Sequence, residues 1–147
     1  MIIYRQATLD ERTVEQLIAL SKEWVEEDIC HGMVTNTRDD LKEPCFIALE
    51  GEIIVGYIFG HYYEKETRNS SIAVGSKCFD IDELYIKKEY RNQGIGSTLF
   101  KMMEEEVKGK CEFITLATSS KDYQKVLHFY CEENMMDFFS AYLIKKI

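Results

Sequence analysis

A six-residue stretch with two glycines carries the clearest chemistry in this sequence. It reads Arg91-Asn92-Gln93-Gly94-Ile95-Gly96, with a β-rich stretch before it and a helix-forming stretch after it. A glycine-bearing turn that opens a helix presents unpaired backbone N–H groups and the positive end of the helix dipole, and both favour a phosphate group. Glycines at two positions let an anion approach the backbone closely. The sequence therefore predicts a phosphate site at this turn.

The composition sets the context for this turn. The chain has 147 residues, of which 46% are apolar and 30% charged, so residues 1–147 are expected to form one globular domain. The net charge of −8 disfavours sequence-independent nucleic-acid binding and suits a cationic partner instead. The N-terminus has no signal-peptide core and no apolar run that could cross a membrane. We expect no nucleic-acid or membrane partner.

The cysteines and histidines show no metal-binding pattern. The three histidines lie far apart, and the cysteines form no C-x-x-C pair, so the spacing predicts no metal site. Scattered cysteines in an odd number are typical of reduced thiols in a cytoplasmic protein. The five are Cys30, Cys45, Cys78, Cys111 and Cys131.

The first half of the chain predicts a strand, a helix and a hairpin. Residues 2–7 favour a strand, and Thr8 and Asp10 are candidate N-caps for an amphipathic helix. Residues 31–41 are polar, which indicates a loop with room for a short second helix. Strands are predicted at 45–50 and 53–63, joined by the two-residue turn Gly51-Glu52.

The second half predicts the elements that position the turn. After a polar connection at 64–77, residues 78–87 favour a strand, and residues 94–108 favour a helix capped by Gly109. Residues 112–117 predict a strand parallel to the one before the turn, because a helix joins the two. A last helix follows, with Ser119, Ser120 or Asp122 as its cap. Residues 136–147 predict one or two further strands, and the whole is an α/β (α+β) domain with a mixed central sheet and about four flanking helices.

The element order and the segment around the turn resemble a known family. Residues 83–97 read Glu-Leu-Tyr-Ile-Lys-Lys-Glu-Tyr-Arg-Asn-Gln-Gly-Ile-Gly-Ser. This segment is similar to the cofactor strand and the Gln/Arg-x-x-Gly-x-Gly/Ala loop of the GNAT superfamily of acetyl-coenzyme A-dependent N-acetyltransferases. The resemblance implies a GNAT-like fold and acetyl-CoA as co-substrate. It also implies transfer of an acetyl group to a primary amine of a small molecule or peptide.

The resemblance further implies which residues bind acetyl-CoA. Backbone groups of one strand would align the pantetheine arm, and the loop with the helix start would bind the pyrophosphate. The residues so implied are Leu84, Tyr85, Ile86, Arg91, Asn92, Gln93, Gly94, Ile95, Gly96 and Ser97.

Acyl transfer to an amine requires a base, because an alkyl amine with a pKa of about 10.4 is protonated at neutral pH. Glu83 is the candidate. Strict alternation puts it on one face with Phe79, Ile81 and Tyr85, and apolar surroundings raise the pKa of a carboxyl group. A β-bulge, which the resemblance implies, would shift this parity and could put Asp82 in the role instead.

The candidate acid is Tyr130, which matches the tyrosine that many members of the family use to protonate the coenzyme thiolate. Its phenol is protonated at pH 7 and can donate to sulfur. Two positions depart from the family pattern. Tyr123 replaces a frequent asparagine, and Asn134-Met135 replaces a glycine-aromatic pair, with Asn134 expected to take the left-handed conformation at the helix end.

The acceptor is less clear from the sequence. An acidic cluster near the end of the first helix, beside Trp24, could attract a cationic amine, although such a cluster is also typical of a solvated helix face. The cluster comprises Glu23, Glu26, Glu27 and Asp28. A homodimer is common in the family. The alternative function is a non-catalytic module that binds acyl-CoA as a sensor or regulator.

Overall fold

Helices and strands occupy the chain in an order close to the predicted one. The computed structural model describes residues 1–68 and 71–147. Its elements are β1 (Ile2–Gln6), α1 (Glu11–Glu27), β2 (Cys45–Glu50), β3 (Ile53–Glu64), β4 (Lys77–Ile86), α2 (Ile95–Val107), β5 (Phe113–Thr115) and α3 (Tyr123–Leu127). Two 3₁₀ turns, Arg38–Asp40 and Lys88–Tyr90, and a π-helical segment, His128–Glu133, complete the regular structure of the described residues.

The strands form one mixed sheet in the order β1-β2-β3-β4-β5. The first four strands are antiparallel neighbours, and β5 runs parallel to β4. Glu50 pairs with Ile53, so Gly51 and Glu52 form the predicted two-residue hairpin turn, with Gly51 at φ +60°. The mixed α/β architecture is confirmed.

Both faces of the sheet are covered, which explains the long apolar run in β3. Leu17 of α1 packs on one face with Tyr57 and Phe59. Leu99 and Met103 of α2 pack on the other face, in a cluster that also holds Ile58 and Phe79. A strand buried on both faces loses the polar alternation of a half-exposed one, and residues 54–59 of β3 are all buried.

The helix ends follow the predicted caps. Asp10 caps α1, and its side chain accepts a hydrogen bond from the Thr13 N–H at 2.8 Å. Gly109, at φ +77°, follows the end of α2. None of the helices among the described residues has the length and apolar character needed to cross a bilayer.

The structure corrects three predictions. Residues 136–147 form no strand, and their large apolar side chains from Phe138 onward lie in solvent. The described residues hold three α-helices rather than about four, because the segment between α1 and β2 forms only a 3₁₀ turn. The strand predicted at 112–117 is shortened to Phe113–Thr115. The predicted connection at 64–77 contains residues 69 and 70, which lie outside the described residues.

Candidate active site

An open edge of β4 lies beside the start of α2. β5 pairs with β4 only at three positions, from Cys78 opposite Phe113 to Asp80 opposite Thr115. Beyond Asp80, residues 81–86 of β4 have no strand partner on that side within the described part of the chain. Their backbone groups therefore form an unpaired strand edge inside the sheet. We call the space along this edge the slot, with its closed end at Asp80 and Thr115.

The glycine turn connects this strand to α2. Asn92 and Gly94 both take left-handed backbone conformations, at φ +59° and +79°, and Gly94 is the N-cap of α2. Within the described part of the chain, no side chain caps this helix start. The first N–H groups of a helix have no partner within it, so those of α2 are available to an anion. The turn predicted as a phosphate site has the geometry that such a site needs.

Gly96 has a different role from Gly94, since it allows a close approach of two elements. A Cβ atom at Gly96 would lie 3.2 Å from the ring of Phe129, in the π-helical segment. The ring of Phe129 in turn contacts that of Tyr130, with 4.9 Å between centroids. The candidate acid is therefore held next to the glycine turn through one aromatic neighbour.

The side chain of Arg91 is occupied by protein groups. Its guanidinium forms two hydrogen bonds to the Glu27 carboxylate, at 2.7 and 2.8 Å, and its Nε donates to the Ile86 carbonyl at 2.8 Å. Burial alone would raise the pKa of Glu27, but the hydrogen bonds from Arg91 and Tyr85 outweigh it and the pKa is lowered. Arg91 thus links the end of α1 to the end of β4.

A β-bulge determines on which face of the sheet the candidate base, Glu83, lies. The register with β3 shifts between Phe59, opposite Glu83, and Gly60, opposite Ile81, so Asp82 is the extra residue. A Cβ atom at Gly60 would lie 2.0 Å from the Asp80 carbonyl oxygen, so the bulge requires glycine there. The bulge predicted from the resemblance is confirmed.

The bulge also corrects the parity derived from strict alternation. Tyr85 lies in the α1-side cluster with Phe59, the register partner of Glu83, as expected. Phe79 and Ile81 belong to the opposite, α2-side cluster. Glu83 therefore shares its face with Tyr85 but not with Phe79 and Ile81, because one inserted residue reverses the alternation.

Glu83 is held by two donors that the sequence did not reveal. Its Oε2 accepts from the Tyr57 hydroxyl at 2.6 Å and from Asn36 Nδ2 at 2.9 Å. Burial raises the pKa of Glu83, although both hydrogen bonds act in the opposite direction. A carboxylate with a raised pKa is a stronger base than an exposed one, and Oε1 has no hydrogen bond from the described residues.

A second group of polar residues surrounds the bulge at the closed end of the slot. His61 Nδ1 lies 2.9 and 3.0 Å from the two carboxylate oxygens of Asp82, and Lys42 Nζ lies 3.0 Å from Oδ2. Asp80 accepts from the Thr115 hydroxyl at 2.6 Å, and burial raises the pKa of Asp80. His61 and Asp80 are register partners on β3 and β4, a pairing that sequence spacing does not specify.

Three of these side chains could also hold a cation. Ligand atoms of His61, Asp80 and Asp82 lie within 4.8 Å of one another. The sequence predicted no metal site because its histidines and cysteines lack zinc spacing, whereas the register of β3 and β4 places this group together. Lys42 already supplies one positive charge to Asp82. The same oxygens are suited to an ammonium group.

Tyr130 approaches from the other side of the sheet. It packs against the α2-side cluster, and its ring lies 6.1 Å from that of Phe100. Burial raises the pKa of Tyr130 to about 12, so the phenol is protonated at neutral pH. Glu83 and Tyr130 thus belong to opposite faces of the sheet. A thioester lying along the β4 edge would pass between those two faces.

The last helical stretch ends differently from the prediction. Asn134 has a φ of −115°, and the left-handed residue is Met135, at φ +59°. The side chain of Asn134 explains the difference, because its Nδ2 donates to the Phe129 carbonyl at 2.8 Å and lies 3.5 Å from Ser97 Oγ. This bond closes the π-helical segment, and the backbone turns one residue later.

The acidic cluster of α1 is neutralised by basic residues, three of which are distant in the chain. Glu27 pairs with Arg91, and Glu23 lies 3.5 Å from Lys87 Nζ. Asp28 pairs with Lys121 at 2.7 Å, and Glu26 lies 4.0 Å from Lys22 Nζ. Because each of the four acidic residues has a basic partner, the interpretation as a solvated helix face fits this cluster better than a cation-binding site does.

Solved structures with the same fold cover the whole chain. A protein from Clostridium acetobutylicum described as a predicted acetyltransferase, solved with acetyl-CoA, is 17% identical, with a TM-score of 0.69 and coverage of 99% of this chain and 96% of that one. An aminoglycoside acetyltransferase from an uncultured soil metagenomic sample, in complex with sisomicin, is 18% identical with the same coverages and TM-score. A ribosomal-protein-alanine N-acetyltransferase from Brucella melitensis is 13% identical, with a TM-score of 0.70 and 99% coverage of both chains. No curated protein matches the chain.

The family can be assigned from the sequence match. A family model described as the acetyltransferase (GNAT) family matches residues 10–135, which is most of the chain. The matched region contains the glycine turn, the bulged strand β4 and the π-helical segment. The chain therefore belongs to the GNAT acetyltransferase family.

Proposed function

We propose that this protein is an N-acetyltransferase that moves an acetyl group from acetyl-CoA to a primary amine of a small molecule or peptide. Residues 1–147 would act as one catalytic domain. The observation that carries the proposal is the unpaired edge of β4 at residues 81–86, which leads to the uncapped start of α2. An unpaired strand edge can form hydrogen bonds with an extended chain that carries amide groups, and a helix N-terminus can bind a pyrophosphate. The two features follow one another here, as the amide chain and the pyrophosphate do in coenzyme A.

The cofactor-binding residues would act mainly through their backbone. Leu84, Tyr85 and Ile86 would offer peptide groups to the pantetheine arm. The N–H groups from Gln93 to Ser97 would bind the pyrophosphate, with Gly94 providing the left-handed turn. Asn92 would contribute by its left-handed backbone, and Arg91 by fixing the end of β4, since its guanidinium is committed to Glu27 and Ile86.

The acetyl transfer would use one residue from each face of the sheet, Glu83 as the base and Tyr130 as the acid. The amine nitrogen attacks the thioester carbonyl carbon directly, the C–N bond forms, and the C–S bond breaks. Glu83 takes the proton that the amine must lose, and its raised pKa makes it suited to this step. Tyr130 donates its phenolic proton to the departing sulfur, and burial keeps the phenol protonated until then.

The acceptor is proposed to be cationic. The closed end of the slot carries Asp80, Asp82 and Glu83, with Lys42 as the basic residue that pairs there. This charge excess favours an acceptor with more than one amino group. The fold is shared with enzymes solved with aminoglycosides, which is compatible with such an acceptor. All five cysteines are free, which supports a reducing compartment such as the cytoplasm.

The test is release of free thiol from acetyl-CoA across a panel of amines. The panel contains a simple monoamine, a diamine, a polyamine, an aminoglycoside and a lysine-bearing peptide, and mass spectrometry of the acceptor checks for one added acetyl group. We expect turnover with at least the cationic members. Absence of turnover on every amine, with coenzyme A binding intact, would contradict the catalytic function and leave the acyl-CoA-binding module.

A tyrosine variant tests the assignment of the acid. Tyr130→Phe removes the donor without changing the ring, so we expect kcat to fall by about 100-fold or more while the Kd for coenzyme A changes little. Tyr123→Phe is the matched control, because Tyr123 is exposed on α3. Equal kcat in the Tyr130 and Tyr123 variants would remove Tyr130 from the mechanism.

A further inference from the structure

Two polar residues from different parts of the chain are buried close to the candidate base. Ser21 of α1 and Asn36, in the loop between α1 and β2, are 0% and 8% exposed. Asn36 Nδ2 donates to Glu83 Oε2 at 2.9 Å, and the Asn36 N–H donates to Ser21 Oγ, also at 2.9 Å. The Ser21 hydroxyl donates in turn to the Ile18 carbonyl at 2.8 Å. A chain of hydrogen bonds therefore connects the backbone of α1 to the carboxylate of Glu83.

The loop that carries Asn36 is fixed on both sides of this residue. Before it, residues 29–31 are joined to residues 119–121 by two backbone hydrogen bonds of 2.8 and 2.9 Å. After it, Thr37 and Asp40 form a capping box around the 3₁₀ turn, in which the Thr37 N–H donates to the Asp40 carboxylate at 2.7 Å. Together with the hydrogen bond of its own N–H, these contacts determine where the Asn36 amide lies.

The side chain of Asn36 meets Glu83 with its NH₂ group, because an ionised carboxylate only accepts hydrogen bonds. The Tyr57 hydroxyl donates to the same oxygen, Oε2, from β3. Two donors from different elements oppose rotation of the carboxylate, since a rotation would break both hydrogen bonds, and bonds to a charged group are the stronger ones. Oε1 is left as the oxygen without a hydrogen bond from the described residues.

We infer that Asn36 is a positioning residue for the base, which holds one carboxylate oxygen of Glu83 so that the other is directed at the reacting amine. The inference rests on the proposed function. Asn36 acts through Glu83 and does not touch the amine, and Ser21 acts one step further away by holding the Asn36 backbone. The orientation of the base thus depends on the contacts of a loop as well as on the bulged strand.

A double-mutant cycle with the base tests this role. Asn36→Ala removes the donor, so kcat in the thiol-release assay should fall by about 10–100-fold, as expected when a hydrogen bond to a charged group is lost. In a Glu83→Gln background the same substitution should change kcat by less than about 2-fold, because no base remains to be positioned. The glutamine side chain still accepts a hydrogen bond from Asn36, so a purely structural effect of the substitution would be the same in both backgrounds.

Two further variants support the cycle. Ser21→Ala keeps the Asn36 side chain and removes the acceptor of its N–H, so it provides a second test if Asn36→Ala fails to fold. We expect a smaller loss in kcat, about 2–10-fold, which should also disappear in the Glu83→Gln background. Thr35→Ala is the matched control, because Thr35 is an exposed neighbour in the same loop, and its kcat should equal that of the wild-type chain.

The outcomes separate this inference from the proposed function. Equal losses of kcat in the two backgrounds would overturn the positioning role and leave the N-acetyltransferase proposal standing. Wild-type kcat in Asn36→Ala, or in Glu83→Gln alone, would have the same consequence. Absence of turnover by the wild-type chain with every amine of the panel would contradict the proposed function and this inference with it.

Discussion

Two acidic regions of this molecule look alike in composition and differ in what neutralises them. At the end of α1, Glu27 and Asp28 pair with Arg91 and Lys121, which lie 64 and 93 residues away in the chain. At the closed end of the slot, the donors to Asp80 and Glu83 among the described residues are all neutral, and they are Thr115, Tyr57 and Asn36. The first region stabilises the junction of α1 with β4, whereas the second keeps acidic groups available.

The difference follows from where the bases lie in the fold. The glycine turn and the start of α3 bring Arg91 and Lys121 to the end of α1, so its charges are compensated. Near the bulge, Lys42 pairs with Asp82 at 3.0 Å, and His61 contributes a positive charge only when protonated. Local density of acidic residues in a sequence therefore does not locate a cation site. Whether an acidic cluster can bind a cation depends on which basic residues the fold already pairs with it.

The largest effect is expected for Glu83→Gln, which removes the candidate base and keeps the hydrogen bonds to its side chain feasible. General-base catalysis typically contributes 10²–10⁴-fold, so kcat/KM for the amine should fall by about 100-fold or more. Asp82→Asn is the comparison that decides between the two carboxylates, and Glu104→Gln, on the exposed side of α2, is the control. A larger loss in the Asp82 variant than in the Glu83 variant would assign the base to Asp82.

At the other region the expected effect is on stability. Glu27→Gln leaves the partly buried Arg91 without its counterion, so the free energy of unfolding should fall by about 1–2 kcal/mol, with allowance for solvent screening. Urea-induced unfolding of the variant and the wild-type chain measures this loss of free energy. Because the pKa of Glu27 is lowered in the fold, this stabilisation is present above the carboxyl group's unfolded pKa and is lost as the pH falls through the folded one. Asp28→Asn, with its side chain 81% exposed, should leave the unfolding midpoint unchanged.

Much of this arrangement was predictable from local sequence. The strand at 45–50, the turn at Gly51-Glu52, the N-cap Asp10 and the glycine turn before α2 each depend on residues close in the chain, and all are confirmed. The bulge at Asp82 followed from the family resemblance. The roles of Glu83 and Tyr130 remain predictions.

The surroundings of the site were not predictable in the same way. His61 meets Asp82, and Asn36 meets Glu83, through contacts of 21 and 47 residues in sequence separation. Such contacts depend on strand register and on the path of the loop between α1 and β2. The one or two strands predicted at 136–147 are absent, because strand-forming composition alone does not create a strand without backbone pairing along a sheet edge.

The pH dependence of the activity tests the role of Glu83 in the slot. Glu83 must be ionised to accept a proton, so kcat/KM should fall as the pH drops through its raised pKa. The Tyr57 hydroxyl donates to the carboxylate and lowers that pKa, so Tyr57→Phe should move the acidic limb of the profile to higher pH. Tyr123→Phe, far from Glu83 in the chain and exposed, is the control. A limb that stays in place would mean that Glu83 is not the titrating group.

The smallest expected effect concerns two lysines, one from each of the two acidic regions. Lys42 Nζ lies 3.0 Å from Asp82 and competes with an acceptor ammonium for that carboxylate. Lys42→Met should therefore lower KM for a diamine by about 1.5–5-fold, which corresponds to an exposed ion pair of about 0.2–1 kcal/mol. Lys121→Met removes a matched ion pair at Asp28 and should leave KM unchanged, because that carboxylate is outside the slot. Equal changes in the two variants would show that the acceptor responds to net charge rather than to the carboxylates around the bulge, since each substitution removes the same single charge.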